Sequence, residues 1–237
     1  MRILAIETSS SWCSVALGLT QQKILLRHDD VGSTASQYLL PWIQALLQEV
    51  QLELVNLDAI AVDIGPGAFT GVRLGVACAQ GLALGANLPV LSVVSLDSIA
   101  MQAVQSGAYQ PQDNEHFLVI LDARMGEVYW AKYAMQDGWP TRLAEPQLAL
   151  PGTLDTQGIG WVVGSGVVLC NHAIQALAHG EINANALGIL ACAKQQLIAG
   201  LQHDVRLLKP LYVRNKVAFT SAERARSKLS EKPLATG

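Results

Sequence analysis

Charge is scarce in this chain. Asp, Glu, Lys and Arg make up 15% of its 237 residues, where an average globular protein carries roughly 25%. Alanine, leucine and valine fill the difference, so the chain either builds a large core or hides surface against a partner. Paired cysteines are missing too. Cys13, Cys78, Cys170 and Cys192 are widely scattered with no Cys-x-x-Cys, which argues against a disulfide framework and a zinc site and reads them as small apolar core residues. A clean membrane-length run is also lacking, because Gln80, Asn87 and Pro89 interrupt the most apolar stretch, residues 75–96. The start does not read as a signal peptide, since the apolar stretch 3–6 is short and Glu7 follows at once. A cytoplasmic protein with no membrane contact is expected. The length suits one large domain or two small lobes.

The net charge of −3 is unevenly spread. From Arg214 onward six basic side chains (Arg214, Lys216, Arg224, Arg226, Lys228 and Lys232) face Glu223 and Glu231, so the tail carries +4 and the body −7. So acidic a body is a poor platform for nucleic acid on its own. The tail has two open readings, contact with phosphate or plain solvation.

Residues 2–7, 13–19 and 23–27 read as three consecutive strands separated by polar turns, an antiparallel meander. A helix ends near Gln51, with Pro41 in its first turn or kinking a longer helix begun near Ser33. Strand 59–63, a glycine loop, a second helix to about Gly85 and strand 89–93 follow, giving an α/β layer with a mixed sheet. A polar stretch with Gly107 and Pro111 marks a lobe boundary. The expected division is residues 1–103, 104–213 and the basic tail 214–237. In the second lobe, 117–121 and 127–133 flank a turn, Asp137-Gly138 closes the arm, 161–163 is a strand, and 169–178 and 185–199 look helical.

The loop Gly65-Pro-Gly-Ala-Phe-Thr-Gly-Val-Arg-Leu-Gly75 joins a strand to a helix. Such a loop suits an anion, because its glycines permit close backbone approach and the helix start offers free N–H groups. No Gly-Lys-Ser/Thr follows, so it is not a Walker loop. Nucleotide binding and tight strand-to-helix packing both remain open. The helix after it has only Arg73 and Gln80 as polar side chains between residues 72 and 86, and must be buried on more than one side. The first helix is similar. Its apolar residues include Tyr38, Leu39, Trp42, Ile43 and Leu46, and the two side by side would make a docking face unless the second lobe covers them.

Reactive groups are few. Glu7, Asp63, Asp97 and Asp122 lie near strand ends, but no spacing rule joins them. His28, His116, His172, His179 and His203 form no metal pattern, although His172 and His179 share one expected helix face. Ser9, Ser10 and Ser11 have no nucleophile elbow. Within Asp122-Ala-Arg-Met-Gly-Glu-Val-Tyr129 the glycine serves a turn. Arg124 and Glu127 are expected near that turn, paired with each other; its purpose does not follow from spacing.

Five segments together closely resemble the bacterial TsaB (YeaZ) family: Ile3-Leu-Ala-Ile-Glu-Thr8, Gly65 to Arg73, Ala79-Gln-Gly-Leu-Ala-Leu-Gly85, Leu121 to Tyr129, and Leu211-Tyr-Val-Arg-Asn215. The likeness is weakest across residues 136–200. The resemblance implies an α/β fold of the actin-like ATPase, sugar kinase and Hsp70 (ribonuclease H-like) class, with two lobes each holding a mixed sheet flanked by helices. It implies a subunit for making threonylcarbamoyladenosine beside the anticodon of tRNAs that read codons starting with A. The implied partners are the paralogous catalytic TsaD, the ATPase TsaE, and a second copy when alone, with TsaC supplying the activated intermediate and tRNA met mainly through the complex. TsaD-like proteins carry a metal-binding His-x-x-x-His where this chain has Ser95 and Ile99, and serine and isoleucine cannot replace two imidazoles. The resemblance therefore implies no catalytic residue, cofactor or metal of its own. It implies a partner face of Tyr38, Leu39, Trp42, Ile43, Leu46, Val72, Arg73, Val76, Ala79, Gln80 and Ala83, so that a charge at Val76 should break pairing and leave the fold intact. The rival readings are a small ATP-dependent kinase-like enzyme using the Gly65 to Gly75 loop and, disfavoured, a metallopeptidase.

Overall fold

The computed structural model describes residues 1–20, 23–107, 115–178, 182–202 and 204–214. The basic tail beyond Arg214, His179, His203 and the middle of the expected lobe boundary lie outside the described residues.

The first sheet holds β1 (Ile3–Glu7), β2 (Trp12–Gly18), β3 (Ile24–Asp30), β4 (Ala59–Asp63) and β5 (Val90–Val93), in the order β3-β2-β1-β4-β5. Short polar turns allow antiparallel β1–β2 and β2–β3 pairs. The helical crossovers α1 (Ala35–Glu49) and α2 (Phe69–Ala86) bring β4 and β5 in parallel. Alternate strand residues point to opposite faces. Leu4, Ile6, Val15, Leu17, Ile60 and Val62 meet α1 and α2. Ile3, Ala5, Ala16, Ala59, Ala61 and Leu91 meet α5 (Ala186–Ile198) on the other side. A sheet covered on both faces explains why β1 and β4 are continuous apolar runs.

The second sheet runs β10-β6-β7-β8, with β6 (His116–Asp122), β7 (Val128–Gln136), β8 (Trp139–Arg142) and β10 (Ile159–Val163); β9 (Gln147–Ala149) also pairs with β7. Asp137 and Gly138 both take positive φ and make the two-residue turn between β7 and β8 that their sequence signals. α3 (Ser95–Gln105) packs Leu96, Ile99, Ala100 and Ala103 against Phe117, Val119, Tyr133 and Trp161. The far face of this sheet meets Val167 and Ile174, the latter in α4 (His172–Gln175). Each lobe thus has a mixed sheet with flanking helices, the two-lobed α/β arrangement expected from the sequence.

The helices add to and in one place correct what the sequence suggests. α3 was not expected. It runs across the anticipated boundary at 103 and packs mainly on the second sheet, while α5, from the second half, covers the first. Each sheet is thus covered in part by a helix from the other half of the chain. The single helix expected over 169–178 is broken: Cys170 is extended, and the Asn171 side chain accepts from Ile174 N–H to cap a four-residue helix. In α1, Pro41 sits inside a longer helix, the second of its two readings. α2 is long and apolar enough to span a membrane by length and composition, yet Val72, Gly75, Val76, Ala79 and Ala83 are buried on the protein's own sheet side.

Candidate functional site

A cleft of about 680 Å³ opens between the lobes. The turn after β1 (Thr8 to Trp12), the glycine loop and the start of α1 form one wall; Asp122, Ala123, Arg124 and Ser165 of the second lobe form the other. Strand ends and helix starts converge there, as in open α/β sheets generally.

The glycine loop is filled by the protein itself. A Cβ at Gly67 would collide with the Ser9 carbonyl, one at Gly71 with the Thr8 carbonyl, and one at Gly75 with the Thr8 hydroxyl. The Thr8 hydroxyl donates to Gly71 O at 2.7 Å, and Ala68 N–H, at the start of α2, donates to Ser9 O at 2.6 Å. Of the two readings of this loop, tight strand-to-helix packing is the one these contacts carry.

Glu7 and Asp63, at the ends of neighbouring parallel strands, are both buried beneath that loop. Glu7 accepts from Ser9 N–H at 2.5 Å. Asp63 accepts from Gly65 N–H at 2.6 Å and from the Ser95 hydroxyl at 2.7 Å. Burial pushes Glu7 up to about 8, with the Asp63 charge adding to it. Burial likewise pushes Asp63 up to about 6, against the lowering effect of its hydrogen bonds. Neither lines the cleft. These carboxylates clamp the loop: Glu7 fixes the turn that plugs it, and Asp63 fixes its first residue and the start of α3.

The two positions opposite the family's histidines are both internal. Ser95 is spent on Asp63, and Ile99 is fully buried in the second lobe's core. Asp97, between them, accepts the Tyr133 hydroxyl at 2.6 Å and lies 3.6 Å from Arg142. His28 stacks on Trp12, ring centroids 4.5 Å apart, and burial lowers its pKa. His172 stands exposed on its short helix. Ser10 accepts from Trp12 N–H within its turn. Among the described residues no three His, Cys, Asp or Glu side chains gather to hold a metal. The cysteines are free, Cys13, Cys170 and Cys192 buried.

The hairpin turn carries positive φ at Arg124, Met125 and Gly126. Its ion pairs differ from expectation. Arg124 pairs with Asp122 at 3.1 Å, and Glu127 pairs instead with Arg214 at 2.7 Å. Sequence reasoning missed Arg214 as a site residue. The one signal was that both motifs belonged to the same resemblance.

Burial divides the expected partner face. Leu39, Ile43, Leu46, Val72, Val76, Ala79 and Ala83 point into the first lobe's core. A charge at Val76 would strike that core rather than a docking surface. Tyr38 and Arg73 are exposed, Trp42 and Gln80 half-buried. Ala77, Gly81 and Leu84 also lie on the open side of α2. On this side Leu208 and Tyr212 meet Gln80 and Arg73, while Ala77, Gly81 and Leu84 stay exposed.

A TsaD family model, tRNA N6-adenosine threonylcarbamoyltransferase, matches residues 31–159. The tRNA threonylcarbamoyladenosine biosynthesis protein TsaB of Escherichia coli K12 is 35% identical over 232 residues, 92% of this chain and 97% of its own. The chain belongs to the TsaB family. The Haemophilus influenzae TsaB is 30% identical, with 92% of this chain and 96% of its own covered. A solved structure from Pseudomonas aeruginosa, described as similar to the peptidase YeaZ, superposes with a TM-score of 0.78 at 30% identity, covering 90% of this chain and 99% of its own. The likeness of this TsaB-family chain to that structure spans both lobes.

Proposed function

We propose that this TsaB-family chain is a non-catalytic subunit in the making of threonylcarbamoyladenosine in tRNA, supporting a TsaD-like catalytic subunit. The observation that carries this reading is the fate of residues 95 and 99. Where a catalytic paralogue would present two histidines, a serine is tied to a buried aspartate and an isoleucine is in the core. The strand-end carboxylates are occupied in holding the loop. Among the described residues, that leaves Asp122 and Arg124, paired with each other, as the charged side chains on the cleft walls. A kinase-like or peptidase activity draws no support from these groups.

Pairing with the TsaD-like subunit runs through the outer sides of α1 and α2, with Tyr38, Trp42, Arg73 and Gln80 beside Ala77, Gly81 and Leu84. Small residues let a facing helix approach closely, and aromatic and arginine side chains anchor interfaces out of proportion to their number. Two helices of about four turns can supply the roughly 800 Å² per partner of a standard interface. The same side serves a second copy when the partner is missing. A TsaE-like ATPase joins the pair, tRNA is met through the complex, and the work is done in the cytoplasm. Reconstitution tests the reading: a TsaD-like, a TsaC-like and a TsaE-like protein should modify tRNA with this chain and fail without it. Full modification in its absence overturns it.

A further inference from the structure

Two motifs of this chain, the hairpin at residues 122–129 and the segment ending at Arg214, have no task in the role proposed above. The structure puts them together. After α5 the chain returns to the first lobe, where Leu208 enters the core and its carbonyl accepts from Gln80 Nε2 at 2.8 Å. Leu211 N–H then donates to Ile64 O at 2.7 Å, and its own carbonyl backs onto Gly65, where a Cβ would come within 3.4 Å. Tyr212 turns outward and accepts from Arg73 Nε at 2.9 Å. The Arg73 guanidinium lies 3.5 Å from the centroid of the Phe69 ring and 5.5 Å from that of Tyr212. The segment ends on the other lobe. Arg214 pairs with Glu127 at 2.7 Å and donates to the carbonyls of Ala123 at 3.0 Å and Arg124 at 3.3 Å, its side chain only 10% exposed.

Both long polar side chains of α2, Arg73 and Gln80, are therefore committed to this one segment. A planar guanidinium suits its far end, since a fork of donors can meet a carboxylate and two carbonyls at once where an ammonium cannot. The carbonyls stand ready because the backbone at Arg124 and Met125 is left-handed. Between its ends the segment backs onto the first residue of the glycine loop through Leu211.

We propose that residues 208–214 are a latch that makes the outer side of α2 and the cleft-side hairpin one mechanical unit. A TsaD-like subunit seated on Arg73 and Tyr212 then also steadies the hairpin. This second half rests on the pairing face proposed above; the latch itself does not.

Hydrogen exchange followed by mass spectrometry on the full chain tests it. Arg73→Ala, a surface change on α2, should speed exchange in the hairpin about tenfold, as expected when one charge-assisted hydrogen bond is lost. Arg214→Ala should do the same for the first turns of α2, while amides of β1 and α5 stay protected in both variants. If Arg73→Ala loosens only its own surroundings, there is no latch. Adding a TsaD-like subunit to the wild type should slow hairpin exchange, and Arg214→Ala should abolish that slowing while the subunit still binds. Binding with an unaltered hairpin overturns the coupling. Failure to bind at all overturns the pairing reading instead, and the latch is then decided by the two variants of the free chain.

Discussion

Along its inner side α2 presents Gly71, Gly75, Val76, Ala79 and Ala83 to the first sheet, and Gly71 has no room for one more carbon beside the Thr8 carbonyl. Along its outer side Ala77, Gly81, Leu84 and Gly85 face open space, and a Cβ at Gly81 or Gly85 would meet nothing. The residue types are nearly the same, so composition cannot say which side is core. What separates the two sides is the chain beneath the helix: the turn after β1 rises into the inner glycines. Smallness permits a contact already made on one side and leaves space for a facing helix on the other.

The sharpest way to break this comparison is a charge on each side. Val76→Glu should destabilise the fold by about 4 kcal/mol or more, because an unpaired carboxylate would enter the core. A urea titration followed by circular dichroism reads it, and a midpoint close to the wild type would mean the inner side is not core. Gly71→Ala should cost about 3 kcal/mol by overpacking against fixed backbone. Its mirror, Gly81→Ala, should stabilise by about 0.5–1 kcal/mol, since helix propensity is gained in free space. Equal effects at the two glycines would erase the difference between the sides.

A third experiment probes what holds the inner contact. Burial lets Glu7 keep its proton in the fold up to about pH 8, while the unfolded chain releases it near its ordinary value of 4.5. The folded state thus binds more protons across that window, so this group's stabilising contribution is complete below about 4.5 and is lost as pH rises through 8. Glu7→Gln should remove most of that slope and leave the variant the more stable at pH 9, as thermal unfolding between pH 5 and 9 would show. A slope that survives the substitution would remove Glu7 from this account. The smallest effect on folding belongs to Ala77→Glu on the outer side, within about 0.5 kcal/mol of the wild type. The same change should weaken pairing with a TsaD-like subunit at least tenfold by analytical ultracentrifugation. Undiminished pairing would place the interface elsewhere.

The strands were legible because β1, β2 and β4 are apolar runs ended by Glu7, Gly18 and Asp63, and Asp137-Gly138 signalled its own turn. The meander followed from short polar linkers. α3 was missed although it is amphipathic, because the polar stretch read as a lobe boundary begins at Gln102 inside its last turns; its buried residues serve both sheets, Leu96, Ile99 and Ala100 the second and Met101 the first. The inward face of α1 was partly read, with Leu39, Ile43 and Leu46 rightly grouped as apolar yet expected at a partner face. Periodicity finds an apolar face without saying what covers it. The Glu7–Asp63 clamp was invisible for another reason. The two carboxylates stand on strands far apart in sequence, β1 ending at Glu7 and β4 starting at Ala59, that become neighbours only through the α1 crossover.

The placement of α5 bears on how the polypeptide is made. Ile3, Ala5, Ala59, Ala61 and Leu91 are all synthesised long before Ile189, Leu190 and Ala193, which shield them. During translation the early sheet therefore waits with a greasy surface bare until residue 198 has left the ribosome, the interval in which a nascent chain most needs a chaperone.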